Sequence, residues 1–341
     1  MKFGVSLLGL VQQPLDEDLA RRAEDVIAWV HEARDAGFHS VISGQHYLTH
    51  PFQELQPVPL LARLIPESGD MELFGTLIAP LHNPVDLAET WASLDVLSGG
   101  RMGLCFALGY RDEEYAAFGV DTSQRVRDFR DVIETVRALW TQDEVTATGR
   151  GFTIENATCT TRPVRKPHPP IWIAANADPA VKRAARWGLP WNINPHARYE
   201  TIERQVGLYH DSAREAGIEP AELPLQREVF CAPTREEAIQ TAGPHLARKY
   251  AAYDQWGQDK ALPGEEEFAI PFAQLAQDRF ILGDPDDCAR EIAKYRKLGV
   301  DRLHMRMNWP GMALEPAVEA LRLFGAEVAP RFADKGGGSG P

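Results

Sequence analysis

"SGGRMGLCFALGYRDEEYAAFGVD" occupies Ser98–Asp121. A Ser-Gly-Gly turn leads into the apolar run Met102–Leu108, which stops at Gly109-Tyr110-Arg111 before an acidic stretch. A short run without in-out alternation is the pattern of a strand buried on both faces, the normal state of a parallel sheet. Gly109 at its end has two readings. It makes a tight turn into the next helix, or it forms the floor of a binding site where a flat ligand rests on bare backbone.

Working outward, similar runs recur at 2–8, 40–46, 72–79, 170–175, 190–194, 226–232 and 301–307, which makes eight with the first. Between them lie helical stripes with i, i+3, i+4 spacing: Ala23, Val26, Ile27, Val30 and Ala33; Leu87, Ala88, Trp91, Leu94 and Leu97; Val126 through Trp140. Gly37 and Gly299 stand where helices end, and Asp178-Pro179 and Asp284-Pro285 read as N-cap and first-turn pairs. Eight buried strands alternating with helices predict a parallel α/β fold closed as a (β/α)8 TIM-type barrel with insertions.

The expected organisation is one domain over 1–334, followed by a flexible, linker-like tail at 335–341 (KGGGSGP). Residues 141–169 carry a hairpin around Gly149-Arg150-Gly151. Residues 246–280, rich in aromatics and charge, read as an insertion that is either a lid or decoration. Within it, Glu265-Glu266-Glu267 reads as a solvated face or helix start.

The net charge of −13 over 341 residues argues against nucleic acid and against an anionic membrane surface. No apolar stretch is long enough to span a bilayer and Met1-Lys2-Phe3 leads straight into a strand, so a cytoplasmic protein is expected. Cys105, Cys159, Cys231 and Cys288 are widely spaced and read as reduced packing thiols.

In such a barrel the chemistry sits at the C-terminal ends of the strands. Those ends carry Leu8-Gly9, Gln45-His46-Tyr47, Ile78-Ala79-Pro80 running into His82, Gly109-Tyr110-Arg111, Ala175-Asn176-Ala177, Asn192-Ile193-Asn194 and Arg306-Met307-Asn308-Trp309. The set is rich in amides, imidazoles and aromatics and poor in carboxylates. It contains no metal-ligand cluster, GxSxG elbow, P-loop or GxGxxG, so no metal is expected and an organic cofactor is the natural carrier of reactivity. His46 is the best-placed titratable group, for acid-base work or as a hydrogen-bonded structural histidine. Tyr47, His82, Asn194 and Trp309 are candidates to line a substrate pocket.

The stretch "APLHNPVDLAETWASLDVLSGGRMGLCFALGYRDEEYAAFGVD", with "RVRDFRDVIETVRALWT" after it, resembles the bacterial luciferase-like family of flavin-dependent monooxygenases. "KPHPPIWIAANADPAVKRAARWGLPWN" and "ILGDPDDCAREIAKYRKLGVDRLHMRM" resemble that family's fifth strand region and last βα unit. The resemblance implies a barrel that uses reduced FMN, supplied by a separate flavin reductase, and O2 to oxidise a small organic substrate. Two alternatives sit on the same barrel: an F420-dependent oxidoreductase, and a non-catalytic flavin-binding member. It further implies that the flavin ring rests on Thr76, Leu77, Ile78 and Ala79, against a non-proline cis peptide within that segment. The phosphate would be held by Leu108, Gly109 and Tyr110, by Ala175, Asn176 and Ala177, and by Arg125. Leu108 stands where luciferases carry arginine, and Ala177-Asp178 where they carry hydroxyls, with the Asp178 carboxylate expected to repel phosphate. Gln45 takes the place of a histidine important for the chemistry, with His46 beside it, and these two are the catalytic candidates. A homodimer is implied as well.

Overall fold

The computed structural model describes residues 1–264 and 266–333. The tail expected at 335–341, together with Asp334 and Glu265, lies outside the described residues. Eight parallel strands match the eight runs: β1 (Lys2–Ser6), β2 (Ser40–Gly44), β3 (Glu72–Ile78), β4 (Met102–Ala107), β5 (Ile171–Ala175), β6 (Trp191–Ile193), β7 (Pro224–Cys231) and β8 (Arg302–Arg306). Their order around the ring is β6-β5-β4-β3-β2-β1-β8-β7, and the Ile193–Leu225 pairing of β6 with β7 closes it. Gly4 lies beside His304, Thr76 beside Cys105, and Glu228 beside Arg306.

Strand alternation sorts side chains between the barrel interior and the helical shell. Inside, Phe74 stacks on Trp172 at 3.8 Å between ring centres, packed with Ile42 and Cys105. Gly103 is required there, because a Cβ would lie 2.1 Å from the Phe74 ring. Below these, buried His304 and Ser40 share a 2.9 Å hydrogen bond. Outside, the stripes of Leu19–Asp35, Pro84–Ser98 and Arg125–Thr141 bury Trp29, Trp91 and Phe129 against the barrel. Leu97 and Val126, expected in those stripes, are instead exposed. Each sits at a helix end, where the stripe has already rotated off the barrel.

Asp284 caps Pro285–Lys297 as expected, accepting from the Asp287 N–H at 2.8 Å. Asp178 does not cap: Ala177 is the N-cap and Asp178 the first helical residue of Asp178–Arg186. The hairpin around Arg150 forms from Val145–Gly149 and Phe152–Ala157. The insertion begins later than expected, since residues 246–255 complete the helix Arg235–Gln255. Glu266 is not on a solvated face. It is buried and pairs with buried Arg279 at 2.7 Å while accepting from the Arg198 N–H and Thr201 Oγ1. Burial works to raise its carboxyl, yet these hydrogen bonds together hold it below the ordinary value. All four cysteines are buried and free.

Candidate active site

A cavity of about 780 Å³ opens at the C-terminal mouth of the barrel. That is the size of a pocket for a cofactor with its substrate. One part of the wall is apolar, built by Ile42, Ile78, Ala107 and Ala174. These positions alternate along their strands, which explains a division among the expected residues. Thr76 and Ile78 line the cavity, whereas Leu77 and Ala79 point into the outer core. The peptides from Thr76 to Ala79 are trans, because the cis bonds among the described residues are His50-Pro51 and Lys166-Pro167. The expected non-proline cis bond is therefore absent. β3 keeps its ladder with β4 without interruption to Ile78 and Ala107.

Leu108, Gly109 and Tyr110 line the cavity, as do Ala175, Asn176, Ala177 and Arg125. Gly109 answers to both of its readings. Its φ of +91° is a turn conformation that favours glycine, and its backbone faces the cavity. Arg125 opens the helix Arg125–Thr141, leans over the Tyr115 ring at 5.9 Å, and makes no ion pair among the described residues. The helix Asp178–Arg186 starts at the same rim, but Pro179 has no N–H and the Ala180 N–H donates to the Ala177 carbonyl at 2.9 Å, so its first turn offers an anion little beyond the Asp178 N–H. The expected repulsion from Asp178 is largely removed. Arg204 grips that carboxylate with two bonds of 2.7 and 2.9 Å, and Gln205 adds a third. The Arg204 bonds chiefly hold the Asp178 carboxyl below its usual value.

Gln45 and His46 meet at the cavity edge with different surroundings. Gln45 is buried. Its Oε1 accepts from the Ile78 N–H at 3.2 Å and from His82 Nε2 at 2.8 Å, and its Nε2 donates to the Tyr47 hydroxyl at 3.0 Å. Burial lowers His82 to about 4, so this imidazole is neutral and donates through Nε2. His46 Nδ1 lies 3.0 Å from Glu114 Oε1, which also accepts from the Tyr47 N–H at 2.8 Å. Glu114 is buried, with Arg111 Nη1 at 3.8 Å. The Nδ1 contact orients the ring, and Nε2 has no hydrogen-bond partner among the described residues.

Tyr47 packs on Phe118, His82 serves Gln45, and Trp309 donates to Glu228 at 2.7 Å; none of these three reaches the cavity. Asn194 does line it. The sequence points to Arg306 only as one of the strand-end residues and does not single out Glu114, which holds His46, His196 and Gln226 in the cavity wall, or Trp256–Gln258 at the mouth. A signal for part of that wall exists. His304 and Arg306, and Asn192 and Asn194, are polar pairs two residues apart with apolar residues between them, the spacing of residues facing a barrel's interior; Gln226 and Glu228 share that spacing, with Arg227 between them.

The wall and rim suit a flavin mononucleotide. Buried Thr76 Oγ1 and Asn192 Oδ1 have no partner beside the apolar wall, and the Arg125 guanidinium at the rim suits a phosphate. Among the described residues no group of three or more His, Cys, Asp or Glu side chains is placed to hold a metal ion. Likewise, no helix is long and apolar enough to cross a membrane.

A parallel eight-stranded barrel with a polar cavity at this mouth has the architecture of a barrel enzyme. The chain belongs to the luciferase-like monooxygenase family, whose sequence model matches residues 1–302. It is 24% identical over 351 aligned residues to the oxygenase component of a flavin-dependent trigonelline monooxygenase of Acinetobacter baylyi, covering 98% of this chain and 96% of that one. It is 28% identical over 244 residues to an F420-dependent hydroxymycolic acid dehydrogenase of Mycobacterium tuberculosis, covering 69% and 66%. The crystal structure of monooxygenase RslO1 from Streptomyces bottropensis superposes with a TM-score of 0.87 at 24% identity, over 98% of this chain and 100% of that one. Oxidoreductases that use a flavin and oxidoreductases that use F420 thus both stand among its relatives.

Proposed function

We propose that the protein is the oxygenase component of a two-component monooxygenase. It takes reduced FMN from a separate flavin reductase and uses O2 to oxidise a small organic substrate. The observation that carries this reading is Arg125, without an ion pair among the described residues, at the rim of a partly apolar cavity large enough for cofactor and substrate together. Near-complete coverage of a flavin-dependent relative adds support.

When bound, reduced FMN supplies the electrons that activate oxygen. The chain's own residues do the rest. Arg125 would hold the phosphate, with the Asp178 carboxylate beside it restrained by Arg204. Ile78, Ala107 and Gly109 give the ring an apolar seat. His46, oriented by Glu114, holds or moves a proton at Nε2. Trp256 and its neighbours exclude water at the mouth, anchored by the Trp256 indole donating to the His50 carbonyl at 3.0 Å. A homodimer belongs to the same reading, with exposed Val96 and Leu97 available to an interface, and a monomeric sedimentation coefficient overturns it.

The test is an anaerobic fluorescence titration with reduced FMN, FMN, riboflavin and F420. Reduced FMN binds more tightly than F420, and Arg125→Gln weakens FMN about tenfold or more without affecting riboflavin, which lacks the phosphate. Tighter F420 binding moves the protein to hydride transfer. Binding of neither refutes both.

A further inference from the structure

One part of the cavity has an excess of hydrogen-bond donors. Arg306 stands on β8, four strands from β4 around the ring, while Asn194 and His196 follow β6, midway between the two. With Gln258 these residues line the cavity and are only 3–8% exposed. Asn194 Oδ1 accepts from the N–H groups of His196 at 2.9 Å and Ala197 at 3.1 Å, which fixes the amide and leaves Nδ2 a donor without a partner. His196 Nε2 faces Arg306 Nη1 at 3.5 Å. A guanidinium only donates, so Nε2 is the acceptor. Burial first, and then the cations Arg306, Lys249, Arg279 and Arg227, hold this imidazole well below its usual value. It is neutral, so its proton sits on Nδ1, which has no partner. Arg306 Nε and Gln258 Nε2 also lack partners.

The nearby carboxylate does not use up this supply. Glu228 is met chiefly by the Trp309 indole at 2.7 Å, while Arg306 reaches it only at 3.4 Å. The remaining Arg306 contacts, to Tyr253 at 3.1 Å and Gln226 at 3.4 Å, leave the Nε edge open. The loop carrying Asn194 and His196 is rigid. Buried Arg227 binds the carbonyls of Pro195 and Ala197, and buried Arg279 binds that of His196.

We propose that Arg306, His196, Asn194 and Gln258 form a subsite for the carboxylate of the substrate, so that the enzyme acts on small organic carboxylates. Four buried donors without partners, on side chains from one strand and two loops that line a single cavity, call for an anionic acceptor with two oxygens. This rests on the reading that the flavin fills another part of the same cavity.

The test is calorimetric titration of the full-length protein with benzoate and hexanoate against their methyl esters. Reduced FMN is titrated separately into the same samples. At least one carboxylate binds more tightly than its ester. Arg306→Leu weakens it about tenfold to hundredfold, Arg306→Lys much less, and neither changes ester binding. Gln258→Leu, in the loop at the mouth, weakens carboxylate binding in the same direction and guards against misfolding of the Arg306 variants. Esters binding as well as acids, or Arg306→Leu and Gln258→Leu both binding carboxylate like the parent, overturns the subsite. If FMN binds while carboxylate selectivity is missing, the subsite alone falls. If selectivity persists without FMN binding, the subsite stands and the flavin reading falls.

Discussion

Gly109→Ala joins the turn and the cavity floor in one perturbation. The added Cβ would lie 2.8 Å from Ile78 Cγ2, closer than real Cβ contacts allow, and 3.0 Å from the Tyr115 hydroxyl, tight enough that the tyrosine must give by a few tenths of an ångström. The φ of +91° adds backbone strain of about 1–2 kcal/mol for any L side chain. Overpacking in a well-filled region typically costs a further ~1–3 kcal/mol. The sum is a loss of about 2–5 kcal/mol, measured by urea denaturation of the protein without cofactor. Two second-site changes separate the causes. Ile78→Ala and Tyr115→Phe each remove a clash but leave φ untouched, so in a double-mutant cycle each recovers part of the steric share and none of the strain. Tyr115 also donates to the Leu108 carbonyl at 2.8 Å, so a displaced tyrosine loosens the cavity floor as well. Reduced FMN binding should weaken with stability. A loss below about 0.5 kcal/mol, within the range of a neutral surface change, would refute the assigned backbone geometry and with it this seat for the ring.

Three further outcomes follow from buried ionisable groups. His82 has a folded value near 4 against 6.5 unfolded, so the unfolded chain binds more protons in between. Its stabilising share is complete above about pH 6.5 and fades by about 2–3 kcal/mol as pH falls toward 4, and urea midpoints should show His82→Gln losing less over that range. Glu266→Gln leaves Arg279 buried without its counter-charge and should cost about 3 kcal/mol or more by thermal or chemical unfolding, whereas a solvated Glu266 would cost almost nothing. Glu114→Gln keeps the shape but removes the charge facing His46, and should lower kcat about tenfold to hundredfold with little change in KM or in reduced FMN binding; an unchanged kcat would make the pair structural.

The barrel was legible because its rule is local. Each strand is a short apolar run, and each helix shows its own stripe between them. The errors fell where an outcome depends on the far side of the molecule. Glu266 lies in an acidic run that reads as solvated, and only the distant Arg279 and Thr201 draw it inward. Asp178 threatened the phosphate rim until Arg204, 26 residues away, closed on it. Residues 76–79 were taken together as the flavin seat although a strand turns alternate residues outward, so Leu77 and Ala79 were excluded by geometry already present in the sequence. The same period, applied to Gln226 and Glu228 or to His304 and Arg306, would have marked the polar part of the wall. Of the strand-end residues Arg306 and Trp309, Arg306 is the one that reaches the cavity, while the Trp309 indole donates to Glu228. In a closed barrel, then, the polar residue inside an apolar run carries more functional information than the aromatic residue beyond its end. A buried guanidinium is kept in such a run only where the interior gives it an acceptor to meet.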